Sequence, residues 1–356
     1  KYIDMSVMGV GTNILGYSNS LVDEAVKKVI SEGNLTTLNC KEEVMLAERL
    51  IDMHQWADMA RFTRTGGEAN ALAIRIARTV TRKQNVAICG YHGWHDWYLA
   101  SNLQNSDNLS NFLGGDVAIR GVAKKLKNTI HPFQYNDFKK LNHLVNNKNI
   151  GIIMMEVERN EKPKNNFLKK IRDLATKKNI ILIFDETTSG FRSNFGGLHK
   201  LYNINPDIAI FGKALGNGYS ISAILGKKEI MENTTKSFVS STFWSERIGC
   251  VASLKTLEIM KNCKSWKIIS KKGEFIKSKW KVLAKKHNLK IKICGLSALP
   301  KFYFINKDSE LCRMILTQEM LKLNILAVNA IYLSTEHTNN IINQYFSGLD
   351  KTFELI

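Results

Sequence analysis

The feature that most constrains this chain is a rhythm. Short, wholly apolar runs (Val86–Cys89, Ile150–Met155, Ile180–Phe184, Ile208–Phe211 and Ile221–Leu225) alternate with segments of helical period such as Ala69–Val80 and Phe167–Lys178. An apolar run without polar alternation is a strand buried on both faces. Strands of that kind separated by helices predict a mostly parallel sheet sandwiched by helices, an α/β fold. After about Gly249 the pattern changes to long helices with brief β runs at Lys290–Cys294 and Lys301–Ile305. The expected organisation is an N-terminal segment (1–39) that wraps onto the rest, a large α/β domain (40–248) and a small C-terminal α+β domain (249–356). A chain of 356 residues is long enough for two cores.

In open α/β sheets, ligands sit beyond the carboxyl ends of the strands, so the residues that follow each apolar run are the candidates for chemistry. The run ending at Phe184 leads into Asp185-Glu186-Thr187-Thr188-Ser189-Gly190-Phe191-Arg192, and the run ending at Phe211 into Gly212-Lys213-Ala214-Leu215-Gly216. A carboxylate directly after a buried strand needs a cationic or hydrogen-bonding partner. Asp185 and Lys213 could form a structural salt bridge, but a buried pair is not especially stabilising. A lysine flanked by small residues in a desolvated, electropositive pocket is what Schiff-base chemistry requires. Val86–Cys89 leads into Gly90-Tyr91-His92-Gly93-Trp94-His95, where Tyr91 could stack on a planar ligand. His92 and His95 raise the question of a metal, yet no second ligand pair of suitable spacing accompanies them, so no metal is expected. Thr65-Gly66-Gly67-Glu68 opens the Ala69–Val80 helix and is either an ordinary N-cap or a phosphate cradle. Neither a Walker A string nor a G-x-G-x-x-G at a strand–helix junction occurs. Together the strand ends supply a phosphate cradle, an aromatic platform, a carboxylate and a lysine, the set that pyridoxal phosphate needs.

Charge offers a competing interpretation. Lys and Arg number 51 against 32 Asp and Glu, a net charge of +19. However, lysines crowd into 261–292, interleaved with Trp266, Ile269, Ile276, Trp280 and Leu283 at helical spacing. That pattern is an amphipathic helix with a solvated lysine face, and arginine, the better reader of bases and phosphates, is sparse there. No nucleic-acid partner is expected. No run of about 18 apolar residues could span a membrane, and Lys1-Tyr2-Ile3-Asp4 lacks a signal peptide's apolar run. Six scattered cysteines without a C-x-x-C pair indicate reduced thiols in a cytoplasmic protein.

Four strings resemble the class III (fold type I) pyridoxal-phosphate aminotransferases, closest to glutamate-1-semialdehyde 2,1-aminomutase and its relatives. They are Thr65-Gly66-Gly67-Glu68-Ala69-Asn70, Tyr91-His92-Gly93, Asp185 to Arg192, and Phe211 to Gly218. The resemblance is strong from about residue 40 to 260. It implies a seven-stranded, mostly parallel sheet and pyridoxal 5'-phosphate as cofactor. Carried over by position, Lys213 bonds the cofactor as a Schiff base and shuttles the proton, while Asp185 keeps the pyridine nitrogen protonated. Tyr91 stacks on the ring beside His92 and Thr187, and Thr65, Gly66 and Gly67 hold the phosphate. Thr242 would reach the phosphate from a partner subunit, making a homodimer with its active site at the interface. Glu156 matches the acid of the family's Glu-Pro motif on the substrate side.

Departures concentrate on that side. Val157 replaces the proline after Glu156, and Thr188 stands where many members have a glutamine. The serine and tryptophan of the aminomutase substrate pocket are absent near Gly9-Val10-Gly11-Thr12, and Phe243-Trp244-Ser245-Glu246-Arg247-Ile248-Gly249 replaces the usual Ser-Gly-Asn-Pro. Arg247 is a candidate for a substrate carboxylate or phosphate, or else a helix-start partner of Glu246. The resemblance therefore favours an aminotransferase that moves an amino group between an amino-acid donor and a carbonyl acceptor. That acceptor would be a small aldehyde, a ketone or a keto-sugar, the sugar because relatives with a similar Trp-Ser/Thr-Glu-Arg-Ile-Gly string accompany surface-polysaccharide pathways. The alternative is the aminomutase itself, an isomerase, which would need a gating loop at Ser101–Gly115.

Overall fold

The computed structural model describes residues 1–305 and 308–356. After a short strand β1 (Ile3–Met5), the central strands are β2 (Met59–Thr63), β3 (Asn85–Cys89), β4 (Ile130–Pro132), β5 (Ile150–Met155), β6 (Ile181–Asp185), β7 (Ile208–Phe211) and β8 (Ser222–Gly226). β9 (Ile291–Cys294), β10 (Lys301–Phe304) and β11 (Ile325–Ala327) follow. The central strands form one seven-stranded sheet in the order β2-β8-β7-β6-β5-β3-β4. All neighbours are parallel except those of β8, which opposes both β2 and β7. The connection from β7 to β8, residues 212–221, is too short to hold a crossover helix, so the chain can only turn back.

The apolar runs became strands within a residue of their expected bounds. Strict alternation within each explains why they lack polar faces. On β5, Ile152 and Met154 pack under the Gly66–Thr81 helix, whereas Ile153 and Met155 pack under the Phe138–Asn147 and Phe167–Lys177 helices. Two edge strands carried no such signal. β2 reads Met-Ala-Arg-Phe-Thr and is half exposed, and β4 is three residues ending in Pro132, a residue tolerated only where a ladder ends.

Beyond the sheet, the Ile248–Cys263 and Ser265–Lys286 helices meet at Lys264, whose left-handed φ of 53° breaks the axis. The second helix buries Ile269, Ile276 and Trp280 and leaves Lys267, Lys271, Lys279, Lys281 and Lys285 exposed, the amphipathic arrangement expected. Trp280 packs edge-on against Phe302 of β10 at 4.8 Å, and its Nε1 donates to the Tyr345 hydroxyl at 3.0 Å. Gly273 allows the closest approach: a Cβ there would stand 1.6 Å from the Ser297 carbonyl oxygen. β9 and β10 form an antiparallel pair, and β1 adds in parallel to β11 through Ile3↔Ile325, which fastens the start of the chain to the C-terminal elements. The Ser20–Glu32 helix packs on Ile248–Cys263. All six cysteines are free thiols, three of them buried. Among the described residues, no helix is long and apolar enough to cross a membrane.

Trp280→Ala should destabilise the protein by about 3–5 kcal/mol through the cavity it leaves. Trp280→Phe, which loses chiefly the bond to Tyr345, should cost only about 1 kcal/mol. Chemical-denaturation midpoints of the two variants distinguish the contributions.

Candidate active site

Register places the chemistry. Asp185, the last residue of β6, pairs with Ile210 of β7, and β7 leads directly into Gly212-Lys213. Met155, the last residue of β5, pairs with Cys89, the last of β3. Four parallel strands therefore deliver Tyr91, Glu156, Asp185 and Lys213 to one edge of the sheet.

The Asp185 side chain is buried and fully partnered. Its Oδ2 accepts from Asn70 Nδ2 at 2.9 Å and lies 2.9 Å from His92 Nδ1, while Oδ1 accepts the Thr187 amide at 3.0 Å. Burial pushes its pKa up, but the bonds from His92 and Thr187 outweigh that and hold the carboxyl below its usual range. Lys213 Nζ donates to Thr188 Oγ1 at 3.0 Å and stands 6.0 Å from the centre of the Tyr332 ring. Burial lowers the lysine's pKa, Arg192 and Arg159 push the same way, and Tyr332 and Asp185 oppose them. The Lys213 backbone is left-handed, with φ 43°, a conformation that disfavours any residue with a Cβ.

Thr65 caps the Gly66–Thr81 helix, its Oγ1 accepting the Glu68 amide at 3.3 Å. The N-cap interpretation is thus satisfied, and it does not use up the first amides of the helix, those of Gly66 and Gly67. A Cβ on Gly66 would meet Thr187 Cγ2 at 2.9 Å, and one on Gly67 would meet His95 Cε1 at 2.8 Å. The buried Thr187 Oγ1 has no hydrogen-bond partner among the described residues. A bare helix start, a polar atom in need of a partner, an exposed Tyr91 ring, a buried acid and a neutralisable amine are disposed to hold a planar ring with an anion on one arm and an aldehyde on another.

One expectation changes. Arg247 does not pair with Glu246, nor do its contacts reach the strand ends. Its guanidinium donates to Glu42 at 2.7 Å and Glu32 at 3.0 Å, and clamps the helices that carry them to the Ile248–Cys263 helix. Glu246 instead caps that helix, accepting the Ile248 amide at 2.8 Å, and lies 3.4 Å from Arg64. Glu156 is buried, accepts the Tyr91 amide at 3.3 Å and lies 3.5 Å from Arg159. His92 is wholly buried against Asp185, and among the described residues no three His, Cys, Asp or Glu side chains converge as a metal site would need. Thr242 lies on an exposed turn, beside Phe243, whose carbonyl accepts from Arg64, the neighbour of Thr65.

Several residues went unnoticed in sequence. Asn70 lies within a quoted string, and its signal was a polar residue on the buried face of a helix. Thr188 looked like a departure but is the hydrogen-bond partner of Lys213. Arg192 is buried, donating from Nε to Thr188 O at 2.7 Å and to the Gly11 carbonyl, with its guanidinium 5.5 Å from the Tyr332 ring centre; burial pushes its pKa down to about 10. Tyr332 and Arg159 sit in segments with no periodic pattern. They line, with Glu156, Tyr135, Lys301 and Asn111–Gly114, a cleft of about 910 Å³ that opens at the ends of β3 and β5.

Behind the site, Glu186 fastens the turn after β6. Trp56 Nε1 donates to His199 Nε2 at 2.9 Å, which leaves Nδ1 as the protonated nitrogen facing Glu186 Oε1. Glu186 also accepts the amides of Leu198 and His199 and the Ser189 hydroxyl. Burial raises its pKa, yet these bonds hold it below its usual value.

The sequence profile of the family "Aminotransferase class-III" matches residues 1–328. The 3-aminobutyryl-CoA aminotransferase of Cloacimonas acidaminovorans is 32% identical over 329 residues, 89% of this chain and 75% of that protein. The glutamate-1-semialdehyde 2,1-aminomutase of Hyperthermus butylicus is 27% identical over 379 residues, 99% and 88% of the two chains. Among solved structures, the internal-aldimine form of Sphingopyxis FumI superposes with a TM-score of 0.88 at 22% identity, over 99% of this chain and 84% of that one. An omega-transaminase from Sphaerobacter thermophilus gives 0.88 at 19% identity, over 99% and 86%.

Because its folded-state pKa is depressed, Glu186 stabilises the protein fully above its unfolded value of about 4.3, and that contribution is lost as pH falls through the folded value. Glu186→Gln should cost about 1–3 kcal/mol at pH 7. Thermal midpoints of wild type and variant should converge as the pH drops below about 4.

Proposed function

The chain belongs to the class-III aminotransferase family, and we propose that it moves an amino group from an amino-acid donor to a carbonyl acceptor, a small aldehyde, ketone or keto-sugar, through Lys213. The observation that carries this is the pairing of Asp185 with Ile210 two strands from Tyr91, which sets acid and lysine on neighbouring strand ends beside the helix start at Gly66.

Pyridoxal phosphate is the cofactor, and the residues fit it: the glycine cradle at Gly66 and Gly67 excludes any Cβ, and Thr187 Oγ1 is a buried polar atom without a partner. When bound, the cofactor supplies an aldehyde that condenses with amines and a ring that accepts an electron pair from the substrate α-carbon. Gly66 and Gly67 amides and the Thr65 hydroxyl hold the phosphate at the positive end of a long helix. Tyr91 covers a ring face. Asp185, kept ionised by His92, Asn70 and Thr187, holds a proton on the pyridine nitrogen. Lys213 would bond the aldehyde carbon, and its amine, neutral at lower pH than an ordinary lysine's, would carry the proton to and from the substrate α-carbon. Thr188 steers that amine by its 3.0 Å bond.

We place the enzyme in the cytoplasm as a homodimer, with Thr242 reaching the partner's phosphate. Its exposed position supports this, as do the outward Phe238 and Phe243, 85% and 53% exposed, on the same segment. An aminomutase is a second reading, favoured by one feature: Asn111–Gly114, within the Ser101–Gly115 segment, line the cleft where a gate against loss of an intermediate would act.

Incubating the pyridoxal form with a panel of amines and following its visible spectrum separates these. An amine form that survives desalting marks the transferase; isomerisation without amine consumption marks the mutase. Lys213→Ala should abolish turnover while cofactor and fold are retained, and full activity would reject the assignment. Asp185→Asn should leave the fold intact but weaken cofactor retention and slow turnover by about 100-fold or more; unchanged kinetics would remove it from the mechanism.

A further inference from the structure

His95, a metal candidate by sequence, joins no cluster of metal ligands among the described residues. We propose that His95 is a further ligand of the cofactor's phosphate, donating from Nδ1 at the start of the Gly66–Thr81 helix, where Gly67 leaves room for its ring. The inference rests on the cofactor reading of this site and adds to it a donor that can carry positive charge.

Position is the first argument. A Cβ on Gly67 would stand 2.8 Å from His95 Cε1 and 2.9 Å from its Nδ1, so the imidazole occupies the volume that any other residue's side chain would take. In a helix every Cα–Cβ bond tilts toward the N-terminus. That volume therefore lies at the rim of the helix start, beside the amides of Gly66 and Gly67. The backbone closes as tightly: a Cβ on Gly93, whose φ is 95°, would stand 3.0 Å from Gly67 Cα. The loop after β3 thus presses on the helix start, and the His95 ring is what it places there.

Partnership is the second. His95 Nδ1 is buried and has no hydrogen-bond partner among the described residues. The same holds for Thr187 Oγ1 beside Gly66, so each glycine of the cradle faces one buried polar atom in want of a partner. A ring that served only to fill the space over Gly67 would leave its nitrogen desolvated without compensation, and buried polar atoms are rarely left so. An anion held at the helix start satisfies both atoms. The ring is also fixed in place. Trp94 stacks on it with 4.8 Å between centroids and 27° between planes, and the His95 carbonyl accepts the Tyr98 and Leu99 amides at 2.9 and 3.2 Å.

Charge is the third. A phosphate monoester carries about two negative charges at neutral pH. Gly66, Gly67, Thr65 and Thr187 offer only neutral donors. Arg64, next to the cradle in sequence, is engaged by the Phe243 carbonyl and lies 3.4 Å from Glu246. Histidine donates from Nδ1 either as imidazole or as imidazolium, so His95 is the donor of the set whose charge can answer that of the anion.

The test titrates the full chain, freed of cofactor, with pyridoxal 5'-phosphate and with pyridoxal, which lacks the phosphate, and follows the visible absorbance that develops on binding. His95→Phe keeps a ring over Gly67 and removes the donor. In that variant pyridoxal phosphate should bind about 10- to 100-fold more weakly, the loss of a charge-assisted bond, while pyridoxal changes by less than about twofold. His95→Asn, whose side-chain N–H matches the reach of Nδ1, should recover part of the loss. Unchanged affinity for pyridoxal phosphate in His95→Phe overturns the proposal. So does an equal loss for pyridoxal, since a residue that only shapes the loop would weaken both. A wild type that develops no absorbance with either compound refutes the cofactor reading instead. Inorganic phosphate then decides the role of His95: it should raise the melting temperature of wild type but not of His95→Phe, and an equal rise, or none in either, overturns the inference.

Discussion

The active site depends on keeping one carboxylate charged inside a parallel sheet. Asp185 closes the otherwise wholly apolar strand β6, and an unpartnered anion buried there would take up a proton. Asn70, His92 and Thr187 prevent it, each from a different element: a helix, the connection after β3 and the turn after β6 itself. Satisfying the acid therefore also fixes the helix start at Gly66, the loop carrying Tyr91 and the turn carrying Thr188. Those are the parts that the cofactor must find in register, so the electrostatic requirement and the geometry of the site are one constraint.

That constraint explains which residues could be found from sequence. Continuous apolar runs mark strands buried on both faces, and their ends mark the site, so Lys213, Asp185, Tyr91 and Gly66 were legible without coordinates. β2 and β4 were not, because an edge strand has one free side and needs no unbroken apolar run. Asn70 was hidden inside an otherwise helical pattern. Arg159 and Tyr332 lie in irregular connections, where no period tells which way a side chain points. Arg247 was misjudged because its spacing from a helix start is equally suited to a substrate contact and to a clamp; only the positions of Glu32 and Glu42, some two hundred residues earlier in the chain, decide between them.

The two sides of the site are built differently. Around Asp185 every polar atom of the carboxylate is engaged and exposure is close to nil. Toward the cleft, contacts lengthen and exposure rises, as at Arg159 and Tyr91. A rigid cofactor side beside a looser substrate side fits a family that keeps one chemistry and varies what it acts upon.

The left-handed backbone at Lys213 carries a last implication. Glycine adopts that conformation without penalty, and lysine does so at a cost of order 1 kcal/mol. At this position the most comfortable residue for folding is the one that would end the chemistry. Evolution has here preferred a tensed residue that reacts to a relaxed one that does not.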